Sequence, residues 1–144
     1  MIIKMLEPND NILDYIECTK ALNNPGVPLS TTEEIKYSLS ERPSNILTFV
    51  MVSDDNRIVA TTTVIMEKKL RYNRLCCHIE DVGVHPDFRN KGYGASIVRY
   101  CIDVAKQNKC YKIKLNCAEG LVKFYEKLGF ELNGNHMYIK GDNL

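Results

Sequence analysis

One segment, from Ile79 to Gly94, restricts the possible folds more than the rest of the chain. It opens with Ile79-Glu80-Asp81-Val82-Gly83-Val84, and His85-Pro86-Asp87 follows. The residue before a proline is pushed out of helical geometry, so a strand near Cys76–Val84 is expected to end there. After Arg89-Asn90-Lys91-Gly92-Tyr93-Gly94, the apolar residues Ile97, Val98, Cys101, Ile102 and Ala105 recur at helical spacing. Strand, glycine-bearing turn and long helix make a β-loop-α unit. Glycines there permit positive φ and close approach, and a helix start exposes unpaired N–H groups at the positive end of its dipole. Such a turn is a cradle for a pyrophosphate, and Arg89 and Lys91 add cationic charge to it. It is not a P-loop, because G-x-x-x-x-G-K-[ST] is absent, and it is not a dinucleotide fingerprint, which needs a third glycine where Ile97 stands.

The flanking sequence alternates strand and helix. Ile2, Ile3 and Leu6 predict a first strand, and Pro8-Asn9-Asp10 a stop followed by an N-cap. Ile12, Leu13, Ile16 and Ala21 then fall near one helical face, up to the breaker cluster Asn23-Asn24-Pro25-Gly26. Ser30 and Glu33, three apart, predict a capping box and a second helix over 31–41. The β-branched and aromatic runs Ile46–Val52 and Arg57–Met66, joined by Ser53-Asp54-Asp55-Asn56, predict a hairpin. Glu67–Arg74 is a basic connecting segment, Lys112–Cys117 a strand, Val122–Leu128 a short helix stopped by Gly129, and Glu131–Lys140 a last strand. The order β-α-α-β-β-β-α-β-α-β implies an α/β to α+β fold, a mixed central sheet with helices on both faces, over residues 1–144 as one domain.

Composition sets outer limits. Nineteen basic against 18 acidic residues leave a net charge of +1, too little for the basic field that drives nucleic-acid binding. No run approaches the roughly 20 apolar residues of a membrane span, and the opening residues do not read as a signal peptide, so the chain is expected in the cytoplasm. The six cysteines, Cys18, Cys76, Cys77, Cys101, Cys110 and Cys117, form no C-x-x-C pair. They read as reduced small hydrophobes and not as metal ligands, and no metal is expected.

Ile79–Val84 followed by Arg89–Gly94 resembles the acetyl-CoA motif of the GNAT N-acetyltransferases. His78-Ile79-Glu80-Asp81, Cys110–Leu115 and Val122–Phe130 are similar to the eukaryotic-type glucosamine-6-phosphate branch of that superfamily, over residues 64–140. The resemblance implies transfer of an acetyl group from acetyl-CoA to the amine of glucosamine 6-phosphate, in amino sugar biosynthesis. It implies that Val82, Gly83 and Val84 pair with the pantetheine arm and polarise the thioester, while Arg89, Asn90, Lys91, Gly92, Tyr93 and Gly94 hold the pyrophosphate. Tyr125 is the expected acid: a phenol near pKa 10 can protonate a departing thiolate of pKa about 8.5 and stay neutral itself. As neighbours on a strand, Glu80 and Asp81 should face opposite ways. The resemblance gives Asp81 to the sugar and Glu80 to proton transfer by its backbone or through water.

The same resemblance implies that Lys68, Lys69 and Arg71 bind the sugar phosphate. Lys140 would reach the partner's site in a homodimer with intertwined C-terminal strands. Three positions depart from the pattern. Asn116 stands where an acid is usual among the sugar-binding residues, Leu121 replaces an asparagine, and Asn90 replaces a glycine. Two other readings stay open: an acetyltransferase for another amine, such as another amino sugar, a polyamine or a protein lysine, and a non-catalytic acetyl-CoA-binding module. The basic loop argues against cationic acceptors, and Tyr125 with Glu80-Asp81 against a module.

Overall fold

β-branched residues dominate the middle of the chain, and there a sheet forms. The computed structural model describes all 144 residues. The elements are β1 (Ile2–Met5), α1 (Ile12–Thr19), α2 (Thr32–Ser40), β2 (Ile46–Val52), β3 (Ile58–Lys69), β4 (Arg74–Val84), α3 (Tyr93–Gln107), β5 (Lys112–Lys114) and α4 (Val122–Glu126). The strands lie in sequence order, β1-β2-β3-β4-β5. The first four pair antiparallel, and β5 joins β4 in parallel. A parallel neighbour requires a crossover connection, which α3 supplies.

Period-two alternation along β2 sorts its side chains between two layers. Phe49 packs with Val64, Cys77, Ile79, Val98 and Cys101 under α3, while Val50 and Val52 pack with Ile12, Cys18 and Ile58 under α1. Helices therefore cover both faces, as expected. Cys76 and Cys77 are each fully buried, consistent with neighbours that point to opposite faces. All six cysteines are free thiols, and Cys117 alone is exposed.

Several boundaries differ from expectation. Asn11, not Asp10, caps α1 by accepting from the Asp14 amide; Asp10 instead accepts from Lys4 Nζ at 2.6 Å and from the Glu7 amide at 2.8 Å. Leu13 is 67% exposed and Ala21 lies in an exposed 3-10 turn, so the inward face of α1 is Ile12, Asp14 and Cys18. The second capping box sits one residue later than predicted. Thr31 Oγ1 accepts from the Glu34 amide at 3.2 Å and Glu34 Oε1 from the Thr31 amide at 3.1 Å. Ser30/Glu33 and Thr31/Glu34 both satisfy the S/T-x-x-E spacing, and spacing alone does not separate them.

The basic connection is shorter than it read. β3 continues to Lys69, paired with Arg74, so only residues 70–73 form the turn. β5 covers three residues, not 112–117, and 131–140 form no strand. A strand needs a partner for its backbone groups, and residues 131–139 make no backbone hydrogen bond within the chain. Leu132, Met137, Tyr138 and Ile139 are exposed there. No helix is long and apolar enough to cross a membrane.

Candidate active site

β4 and β5 touch only at Cys76–His78 against Lys112–Lys114. β4 runs on to Val84, so from Ile79 onward one of its edges is paired to β3 and the other is open. Such an edge presents backbone donors and acceptors to any extended molecule laid along it. On the paired side the ladder is interrupted. Thr61 faces Gly83 and Thr63 faces Glu80, so Asp81 and Val82 share Thr62 as their one opposite residue. This is a β-bulge, with Asp81 at φ 53°.

The bulge corrects the simple alternation expected of Glu80 and Asp81, because a left-handed residue breaks the period-two rule at that point. Glu80 is half-buried and its carbonyl accepts from Thr62 Oγ1 at 3.1 Å; Asp81 is exposed. Burial first, and then the Asp81 carboxylate, raise the Tyr15 phenol above its usual pKa, with Arg42 opposing. Tyr15, Arg42 and Asp81 thus share one electrostatic neighbourhood, on the side of the sheet that α1 covers. Gly83 has a separate reason to be glycine. A Cβ there would lie 2.1 Å from the Cys18 carbonyl oxygen at the end of α1.

Beyond the strand, a single 3-10 turn (Pro86–Phe88) leads to the residues expected to hold pyrophosphate. Asn90 at φ 62° and Gly92 at φ 81° are both left-handed. Asparagine tolerates that region better than most side chains, which accounts for its standing where the family pattern has glycine. The amides of residues 90–95 donate to no backbone acceptor, and Gly92 gives α3 no side-chain cap. Six unused donors therefore collect at the positive end of a 15-residue helix. Arg89 and Lys91 are exposed beside them, with Lys91 Nζ 5.5 Å from the centre of the Phe88 ring. The residues present suit a diphosphate-bearing carrier with an extended arm: amides and cations for the phosphates, an open strand edge for the arm.

Tyr125 faces the gap between β5 and the chain end. Its ring is packed edge-on against Phe124 at 4.9 Å and Phe130 at 5.8 Å, leaving the residue 7% exposed. Its hydroxyl has no partner within the chain yet is not sealed from the surface. Burial, and secondarily the nearby Cys117, raise its pKa above the usual 10. Tyr125 and Asn116 line an open groove of about 780 Å³ that continues past Leu115 to His136.

The expected sugar-phosphate residues are less concentrated. Lys69 Nζ lies 2.9 Å from Glu67 Oε1, which also contacts His78 Nε2 at 2.8 Å, so much of that cation's charge is already matched. Lys68 is exposed on the opposite strand face, and the Arg71 guanidinium stands 5.2 Å over the Tyr72 ring. Lys140 is exposed in the tail. Sequence reasoning missed the buried carboxylate of Asp14, which binds Arg57 with Nε at 2.9 Å and Nη2 at 3.1 Å. No local pattern announces a pair 43 positions apart; an aspartate in a helical first turn reads as an ordinary dipole complement.

β4 thus carries an unpaired edge beyond His78, free amides collect at the start of α3, and Tyr125 lines a separate groove beside β5. Residues 13–130 match the model of the acetyltransferase (GNAT) family, and the chain belongs to that family. Among relatives, it is 34% identical over 132 residues to the glucosamine 6-phosphate N-acetyltransferase of Arabidopsis thaliana, covering 88% of this chain and 87% of that one. It is 31% identical over 139 residues to the enzyme of the same name from Trypanosoma brucei brucei, covering 95% and 93%. Glucosamine 6-phosphate N-acetyltransferase 1 of Dictyostelium discoideum is 41% identical over 95 residues, a match spanning 63% of this chain and 60% of that relative. The crystal structure of the Arabidopsis thaliana glucosamine-6-phosphate N-acetyltransferase superposes with a TM-score of 0.86 at 33% identity, covering 98% of both chains.

Proposed function

We propose that this chain transfers the acetyl group of acetyl-CoA to the amine of glucosamine 6-phosphate by direct attack. The observation that carries the reading is the open edge of β4 from Ile79 to Val84, running into the free amides of residues 90–95. The relatives' shared name supplies the acceptor. In this reading the backbone of Val82, Gly83 and Val84 orients the arm of the carrier, and N–H groups there hold the carbonyl oxygen as it gains charge. Arg89 through Gly94 bind the pyrophosphate.

The neutral amine attacks the thioester carbon, a C–N bond forms, and the C–S bond breaks. Tyr125 gives its proton to the departing sulfur, and Glu80 takes the amine's proton through water. Asp81 orients the sugar, with Asn116 as a neutral hydrogen-bond partner. Lys68 and Arg71 lead in holding the phosphate and Lys69 adds less, because Glu67 already neutralises much of it. The six free thiols fit a reducing compartment such as the cytoplasm.

We further propose a homodimer in which residues 131–140 of each chain complete the sheet of the other and bring Lys140 to the partner's site. The exposed Met137-Tyr138-Ile139 run and the open groove beside β5 support it. A second reading, with another amine as acceptor, draws on Asn116 and on the partly neutralised Lys69. Thiol release from acetyl-CoA, measured across glucosamine 6-phosphate, glucosamine, a polyamine and a lysine peptide, separates the two. Turnover only with the sugar phosphate is expected; a reaction with another amine alone would overturn the acceptor assignment.

A further inference from the structure

The charged cluster under α1 lies outside the reacting groups, yet it leads to the phosphate loop by short contacts. The Asp14 carboxylate, in a residue only 6% exposed, accepts from Arg57 Nε at 2.9 Å, Arg57 Nη2 at 3.1 Å, the Ile58 amide at 3.1 Å and Asn11 Nδ2 at 2.9 Å. Burial alone would raise its pKa, but the bonds from Arg57 and Ile58 and the charge of Arg57 outweigh that and lower it. The carboxylate is therefore ionised and the pair is charged. His85, at the end of β4, packs against it. Its amide donates to the Val59 carbonyl at 2.9 Å, and its Nδ1 accepts from the Asp87 amide at 3.1 Å. Its Nε2 faces both Arg57 Nη2 at 3.4 Å and Asp14 Oδ1 at 3.5 Å.

Phe88 is the next link. The Arg57 guanidinium carbon lies 5.5 Å from its ring centre, Lys91 Nζ also 5.5 Å, and the His85 ring stands edge-on to it at 5.5 Å and 74°. One aromatic ring thus connects an ion pair, its carboxylate buried and its guanidinium partly exposed, to a cation of the phosphate loop. Phosphate recognition by backbone amides depends on where the backbone is held, and no hydrogen bond from the amides of residues 90–95 fixes this loop from within.

We propose that Asp14 and Arg57 are positioning residues for the carrier's diphosphate, acting through His85 and Phe88 on the loop at residues 89–94. This rests on the reading of that loop as the pyrophosphate site. The residues touch neither the acetyl group nor the amine, so the loss on substitution falls on the KM for acetyl-CoA and not on the KM for the acceptor.

The test compares coenzyme A with pantetheine, which has the thiol arm but no phosphate, binding to the intact protein and to Asp14→Asn, Arg57→Lys and Phe88→Leu. For coenzyme A, Kd should rise about tenfold in each variant, equivalent to about 1.4 kcal/mol. Pantetheine binding should hold to within about twofold, since the strand edge that takes it is unaltered. Equal weakening of both ligands overturns the proposal in favour of general damage to the fold; so does unchanged coenzyme A affinity. Phe88→Leu leaves the Asp14–Arg57 pair in place and decides between these outcomes if the other two variants fail to fold. A wild-type protein that binds coenzyme A no better than pantetheine would sink the underlying reading of the loop instead.

Discussion

At position 125 burial acts on the phenol that the proposed mechanism uses as its acid. Packing between Phe124 and Phe130 fixes the ring, while desolvation keeps the hydroxyl protonated beyond the pH at which a free tyrosine ionises. A raised pKa means the acid form persists as pH climbs and is lost only above about 10. Tyr125→Phe keeps the ring contacts, so the expected outcome is unchanged coenzyme A binding with kcat down about a hundredfold or more. In the unmodified protein, the rate should show no alkaline decline attributable to this group below about pH 10. An unaltered kcat in the variant, read by thiol release, would remove Tyr125 from the chemistry. Single residues were legible where a motif surrounds them, as at Gly92, whose positive φ the loop pattern called for. Asp14 was not, because its meaning is supplied by Arg57 and His85, which only folding brings to it.

Among the elements, the turn into α3 and the β2–β3 hairpin could be read from local chemistry: breakers, caps and β-branched runs act over a few residues. The bulge at Asp81-Val82 could not. Two residues opposing one is a property of a pair of strands, and neither strand's sequence declares the count. Gly83 shows the same blindness in another form. From the sequence it is assigned only to the carrier's arm, by resemblance, whereas its absent side chain admits the C-terminal turn of α1 against β4. Gly83→Ala should force α1 outward and cost about 1–3 kcal/mol or more. Chemical denaturation would measure that loss; a variant of wild-type stability would mean that α1 can shift without consequence.

For the molecule as a whole, the sequence pattern correctly placed the order of elements and both helical layers, and it failed at the chain end. Residues 131–140 have strand-like composition, but within one chain they pair with no strand. A chain ending at Phe130 is expected to sediment as a monomer and to lose most turnover, and the full chain is expected to sediment as a dimer. Monomeric behaviour of the full chain at micromolar concentration would eliminate strand exchange.

β4 outruns β5 by six residues, Ile79 to Val84, and leaves the sheet with an unfinished edge there. On the function proposed above, a carrier laid along that edge becomes architecture as well as reactant, since its amides and carbonyls would finish a row of bonds the polypeptide leaves incomplete. Heat resistance would then follow the concentration of the carrier by mass action, and a starved protein would be a looser one.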